Sequence, residues 1–371
     1  MNLLQEFLGL GIKKTSLTKK KQQTTKKIEY VREYVNQWAI ISAERTDVQS
    51  INFVDCMCNA GVYQDGDCCT AIEVLLVFSD LCLKYPKKDF CLFCNDIDSE
   101  KIFILKKIVD FLPQSKIRNL HVYIKNQDVN EYLDLLAKNI PIEGKCVFGY
   151  GNSTVLYVDP FDFGTVEIPK VSAVLEKNYC ELIFNFFLSD YIRNIQNDNG
   201  RISKCVGGEK FANKNDLIAY VQSKLKVGKI KYSFAYQFKI SSNVELYQII
   251  FATPSIRGLE VLKETLWKVF KGAQFHRNKI ETGQICMFSV DDDMKESLKA
   301  YASEARALLR YYYSGCRLSY AEIEVFLIEN TMLKESQIIK NVIRPMITAG
   351  EMKKCGLGRA NNFKNDEYQI L

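Results

Sequence analysis

An α/β fold with a mostly parallel sheet, ending in an antiparallel hairpin and followed by a small winged-helix domain, is what this 371-residue sequence predicts. Three observations predict it. Short apolar runs alternate with amphipathic helical stretches from about residue 50 to residue 187, the spacing of right-handed βαβ units. Two β-rich runs, Tyr232 to Ile240 and Glu245 to Ala252, then face each other across Ser241-Ser242-Asn243-Val244, a hairpin signal. The tail has a helix–turn–helix pattern followed by two short strands. Domain limits follow as a basic leader over 1–23, a sheet domain over 24–290, and a helical linker with the winged helix over 291–371.

The elements follow in chain order. Lys13, Lys14, Lys19, Lys20, Lys21, Lys26 and Lys27 lead into a helix from about Thr24 to Ile41. Ile28, Val31, Val35 and Trp38 form its buried stripe. The lysine run reads either as a solvated leader or as a phosphate-facing arm, with Lys19 and Lys20 as contacts. Ile51 to Asp55, Phe90 to Cys94, Leu120 to Ile124 and Val155 to Val158 read as four parallel strands. The helices between them carry Ala71, Val74, Leu75 and Phe78, then Ile102, Leu105, Ile108 and Val109, then the stretch from Val129 to Leu136. Glu181 to Phe187 makes a fifth strand, and Asn197 to Asn215, with Gly207-Gly208, reads as a loop on the substrate side. Helices are expected over Gly258 to Phe270 and Met294 to Tyr313. In the tail, Ser319-Tyr320-Ala321-Glu322 is a capping box that opens one helix, and Glu335 to Thr348 forms the next. Met352 to Cys355 and Glu367 to Ile370 are the closing strands around Gly356-Leu357-Gly358-Arg359.

Composition bounds the function. An apolar fraction of 47% with 25% charged residues is that of a globular protein, and a net charge of +6 favours a polyanionic partner over a polycationic one. The longest apolar runs fall well short of the roughly 20 residues of a membrane span. The N-terminus has no signal-peptide pattern, so a cytoplasmic location is expected. The 13 cysteines are scattered through strands and helices, as reduced thiols are. Cys91 and Cys94 point to opposite faces of a strand, and two histidines are too few for a cluster, so no metal site is expected.

Chemistry concentrates at the carboxyl ends of the strands, where open α/β sheets bind ligands. The first strand ends in Asp55-Cys56-Met57-Cys58-Asn59-Ala60-Gly61, the second in Asn95-Asp96-Ile97-Asp98. Asp128 follows the third, and Asp159-Pro160-Phe161-Asp162 follows the fourth. Carboxylates there suit a cationic or amine-bearing ligand with ribose hydroxyls. Each acid alone also reads as a helix or loop cap.

These segments, in this order, resemble the three-Cys-motif partner proteins (TcmP), a bacterial group with a Rossmann-like domain of SAM-dependent methyltransferase type. Thr25-Lys26-Lys27-Ile28-Glu29-Tyr30 resembles the family's N-terminal helix. Asn52-Phe53-Val54-Asp55 through Gly61 resembles its cofactor loop, and Val158-Asp159-Pro160-Phe161 with Gly164 its Asp-Pro-Phe-Gly segment. Tyr247-Gln248-Ile249-Ile250-Phe251-Ala252-Thr253, Gly258-Leu259-Glu260 and Leu266-Trp267-Lys268-Val269 resemble its later motifs. Winged-helix tails accompany the family as well.

The resemblance implies S-adenosyl-L-methionine across the ends of the first three strands. Asp55, Cys58, Asn59 and Gly61 would line the cofactor loop, with Asp96 or Asp98 on the ribose and Asp128 by the adenine. Asp159, Pro160, Phe161 and Asp162 would hold a target amine, with Phe161 stacked on a planar group. Lys340, Arg344 and Arg359 would contact the phosphates of DNA or RNA. The sequence departs from the family at Met57, Cys58 and Asn59, where Phe, Ala and Gly are usual. A side chain at Asn59 crowds the cofactor path. The alternative is therefore a degenerate fold that serves as partner subunit of a three-Cys-motif protein, and winged helices also serve as protein-docking modules.

Overall fold

Seven apolar runs become seven strands of one sheet, because each is long enough to pair and too apolar to face water. The computed structural model describes residues 9–20, 22–188, 200–241, 244–272, 275–276, 290–355 and 363–371. The chain divides into two compact units, Met1–Ser255 with His276–Glu281 and Ile256–Phe275 with Thr282–Leu371.

In the first unit the strands are β1 (Ser50–Asp55), β2 (Asp89–Asp96), β3 (Leu120–Asn126), β4 (Asn152–Val158), β5 (Glu181–Phe186), β6 (Tyr232–Ser241) and β7 (Val244–Thr253). Their order across the sheet is β3-β2-β1-β4-β5-β7-β6, and Phe275–His276 (β8) adds a short edge strand beside β6. Strands β1 to β5 pair in parallel, and β7 runs antiparallel to both β5 and β6. This is the Rossmann-like methyltransferase sheet expected from the sequence, hairpin included. The turn residues Ser242 and Asn243 lie outside the described residues.

Helices α1 (Gln22–Glu44), α2 (Thr70–Lys84), α3 (Ser99–Phe111), α4 (Val129–Ala137) and α5 (Ile168–Lys177) connect and cover the parallel strands. α1 packs against α2, and α4 against α5. Every residue of β1 and β5 is buried, as a strand covered on both faces requires. One apolar layer gathers Val54, Leu156, Val158 and Leu182 from the sheet with Leu133, Leu136, Val171 and Leu175 from α4 and α5.

Part of the stretch read as a loop is helical. Arg201–Cys205 (α6) and Lys214–Leu225 (α7) form there. Cys205 and Val206 are buried, and Leu217, Val221 and Leu225 fill the space under α5. Cys205 and Val206 seat the polar stretch itself, and Leu217, Val221 and Leu225 seat the helix that begins at its end. Residues 189–199 lie outside the described residues.

The second unit opens with α8 (Ile256–Phe270), followed by α9 (Val290–Tyr313), β9 (Arg317–Ser319) and α10 (Tyr320–Asn330). Next comes α11, built from Glu335–Ile338, a π turn at Ile339–Ile343 and Arg344–Thr348, then β10 (Met352–Lys354) and β11 (Glu367–Ile370). The three strands pair antiparallel in the order β10-β11-β9. Ser319 caps α10 with the full capping box anticipated from Ser319 and Glu322. Among the described residues, no helix is long and apolar enough to cross a membrane.

Candidate functional site

Register places the acids. Asp55, the last residue of β1, lies opposite Cys94 on β2 and Tyr157 on β4. Asp96 and Asp159 therefore each sit two residues further along their strands, on either side of β1. Asn126 is the β3 partner of Asp96, so Asp128 continues the same edge. Parallel pairing thus brings four acids from distant sequence positions to one carboxyl edge.

The loop after β1 is held by that edge. The Cys58 amide donates to Asn95 O at 2.8 Å, and the Asn59 amide donates to Asp96 Oδ2 at 3.0 Å. The other oxygen of Asp96 accepts from the Asp98 amide at 3.0 Å. Asn95 ties three strand ends together, its Nδ2 donating to Cys56 O and Gln127 O. Asn59 adopts φ +60°, the left-handed conformation that asparagine tolerates better than most residues. Its side-chain oxygen accepts from the Ala60 amide at 2.8 Å. The loop therefore keeps a glycine-like path while Asn59 contributes a buried side chain. At Gly61, φ is +88° and a Cβ would lie 2.9 Å from Leu105 Cδ1, so this position requires glycine. Cys58 is buried, and burial pushes its thiol pKa well up, which makes it a packing residue.

Asp55 is buried, and its pKa stands well above the usual carboxylate value. Burial is the main cause. The Met57 amide bond and Lys27 oppose it, while Asp159 and Asp96 add repulsion. Asp55 thus sits in a poorly solvated place with two further carboxylates nearby. Asp98 and Asp128 behave differently. Asp98 caps α3 by accepting from the Glu100 and Lys101 amides, and Asp128 caps α4 by accepting from Asn130 and Glu131.

The fourth strand end forms the most connected polar cluster of the edge. Asp159 Oδ1 accepts from Asn185 Nδ2 at 2.9 Å, and Oδ2 accepts from the Tyr157 hydroxyl at 3.1 Å. Asn185 Nδ2 also donates to the Tyr157 oxygen at 3.1 Å. Lys27 Nζ, from the second turn of α1, lies 2.6 Å from both carboxylate oxygens. Pro160 is buried behind the corner. Phe161 is 54% exposed, with Lys101 Nζ 4.8 Å from its ring centroid. Asp162 accepts from the Thr165 hydroxyl, which turns it back onto its own loop.

Sequence reading missed Lys27, Tyr157 and Asn185 as members of this site. Asn185 left a signal: it is the one amide in the apolar run Leu182-Ile183-Phe184-Asn185-Phe186, and a polar residue there needs a partner. Its Oδ1 is buried without a hydrogen-bond donor among the described residues. Ile97, directly after Asp96, is 67% exposed at the same edge, an apolar surface beside the acids.

The basic residues separate. Lys19 is exposed, whereas Lys20 is paired with Asp65 at 3.3 Å and with Asp67, which occupies the charge expected for phosphate. Lys340 and Arg344 are exposed on α11, and the Arg344 guanidinium lies over the Phe363 ring at 5.0 Å. Arg359 lies outside the described residues.

Comparison with protein-family models gives no match, and comparison with curated proteins gives none. Solved structures with a similar chain course include a SAM-dependent methyltransferase from Methanosarcina mazei, at 12% identity and TM-score 0.30, covering 58% of this chain and 96% of that one. A 16S rRNA (adenine-N(1))-methyltransferase from Catenulisporales acidiphilia matches at 8% identity and TM-score 0.30, covering 59% and 90%. A protein from Legionella pneumophila matches at 8% identity and TM-score 0.37, covering 66% and 92%. Matches this remote say nothing about residues or substrates. The chain's own strand order is that of a methyltransferase-like fold.

Proposed function

We propose that this chain binds S-adenosyl-L-methionine at the carboxyl edge of β1, β2 and β4 and transfers its methyl group to an amine of DNA or RNA. One observation carries the reading: the ends of three neighbouring strands bring Asp55, Asp96 and Asp159 to one edge, with Asp55 buried between the other two. Such a cluster suits a ligand that brings positive charge and hydrogen-bond donors. The cofactor offers a sulfonium, an α-ammonium, ribose hydroxyls and an adenine amine, so the donor set fits. The buried, unpartnered Oδ1 atoms of Asn95 and Asn185 add acceptors in need of a donor.

When bound, the cofactor supplies an electrophilic methyl group. The protein's part is positioning and exclusion of water. The loop from Asp55 to Gly61 would hold the amino-acid end, and Asp96 the ribose. Ile97 would present an apolar face to the adenine, with Asp128 beside it. At the target corner, Asp159 and the Pro160 carbonyl would orient the amine lone pair and take its proton's hydrogen bond, while Phe161 stacks on the base. Lys340 and Arg344 would add phosphate contacts from a winged helix.

Calorimetry tests the reading. SAM and its demethylated product SAH are expected to bind, and Asp55→Ala is expected to weaken SAM at least about tenfold, the loss of one buried hydrogen-bonding carboxyl. Undiminished binding by that variant would move the site elsewhere. Labelled-methyl transfer onto bulk DNA and RNA then identifies the acceptor.

A second reading has its own observation. The Asn59 side chain is buried where the resembled family has glycine, and Thr18 Oγ1 lies 3.4 Å from its oxygen. That favours a methyltransferase-like partner subunit of a three-Cys-motif protein without catalysis of its own. No heat with SAM or SAH, together with co-purification of such a partner, would select it.

A further inference from the structure

Lys27 and the segment before it bridge both halves of the site. Gln64 fastens that segment next to the cofactor loop, its amide donating to Thr18 O at 3.1 Å and its Nε2 to Leu17 O at 2.7 Å. Thr18 reaches Asn59 in the loop itself. Further along, Lys27 closes on both oxygens of Asp159, with the two side chains 14% and 21% exposed. Asn185 and Tyr157 take further lone pairs of the same carboxylate. A carboxylate so fully engaged has little capacity left for a target amine.

Withdrawing Lys27 without a substitute would take the cation away from a mostly buried carboxylate, which is unfavourable. A ligand that offers a donor to Asp159 and an anion to Lys27 at once avoids that cost. A nucleotide within a polymer is such a ligand, since it carries a base amine and a phosphate on one unit, and the long lysine side chain can swing from the carboxylate to the phosphate. Lys101 beside Phe161 places a second cation at the same corner.

We propose that Lys27 is a latch on the target subsite, opened by ion-pair exchange: a nucleic-acid phosphate takes Lys27, and the base amine takes Asp159. The inference rests on the reading of Asp159 as the target corner. It adds a selection rule. An amine that arrives without an anion, such as a free nucleoside, does not open the site.

The test needs no cofactor. Binding of fluorescently labelled single-stranded DNA and RNA oligonucleotides is followed by anisotropy over a series of salt concentrations. Asp159→Asn, which loosens the latch with an isosteric side chain, is expected to tighten binding about three- to tenfold. Lys27→Met is expected to lower the salt slope by about 0.7 to 1, one phosphate contact. In the double variant the gain from Asp159→Asn is expected to vanish, because the two changes act through one pair. Urea unfolding confirms that each variant is folded, with Lys27→Gln as the second choice. Independent, additive effects would overturn the latch, and so would an oligonucleotide that no form binds. SAH calorimetry on the same proteins separates the failures. Retained SAH binding leaves the cofactor reading standing, whereas loss of both removes the reading as well.

Discussion

At the residue scale, Asn59 decides how the cofactor loop works. Its backbone follows the left-handed path that a glycine would take, with the amide held on Asp96, so the loop is built although the glycine is missing. What differs is the side chain, buried between Ala60 and Thr18. Replacing it returns that space. Asn59→Gly is expected to tighten SAH at least about fivefold, roughly 1 kcal/mol, while costing a few tenths of a kcal/mol of stability through chain entropy. Calorimetry and urea titration on one preparation check both, and an unchanged affinity would show that the side chain does not obstruct the cofactor. This scale was the least legible in the sequence. Asp55, Asp96 and Asp159 could be placed at strand ends from the apolar runs alone, but the difference between Asp96, which braces the loop, and Asp98, which caps a helix, depends on backbone direction. Lys27 was one of seven lysines in a leader, and only folding singles it out.

At the scale of elements, α1 is anchored to the sheet by a buried acid that the apolar stripe did not announce. Glu181 opens β5 and accepts hydrogen bonds from Tyr34 of α1 and from Thr253 Oγ1 of β7, the latter at 2.8 Å. Burial raises its pKa above the ordinary glutamate value, and the two hydrogen bonds only partly oppose this. The folded state therefore keeps this proton at a pH where the unfolded chain has released it. Stability from this group is full below the unfolded value and is lost as pH rises through the raised one. Glu181→Gln holds a neutral amide at every pH. As pH rises above the ordinary glutamate value, the urea midpoint of the wild type is expected to fall relative to the variant. A constant difference would mean that Glu181 titrates normally. The helix itself was readable from Ile28, Val31, Val35 and Trp38, which are all buried. Its fastening was not, since Tyr34 and Glu181 are far apart in the chain and neither breaks a pattern by itself.

At the scale of the whole molecule, alternation of runs made the sheet and the tail readable, and it placed α8 in the sheet domain over 24–290. Amphipathic helices fit either neighbour equally on periodicity. The structure counts Ile256–Phe275 with the second unit. There Lys263, fully buried, donates to Thr331 O at 2.5 Å, and Trp267 Nε1 donates to Met332 O at 2.7 Å, so both bonds cap the C-terminal end of α10. Lys334 pairs with Glu264 at 2.9 Å on the rim. Leu259, Leu262, Leu266 and Phe270 bury the apolar face of α8. At about 1.5 to 3 kcal/mol for each such side chain, the four together contribute about 6 to 12 kcal/mol, as much as the whole stability of a typical domain. A fragment spanning residues 256–371 is therefore expected to unfold in urea as one cooperative transition. A fragment spanning 291–371 keeps the capping box at Ser319 and the three short strands, yet it loses the partners of Thr331 and Met332 on α8. It is expected to show no cooperative transition by circular dichroism. Equal cooperativity in the two fragments would mean that α8 is dispensable to this unit, and that the carbonyls after α10 are satisfied without it.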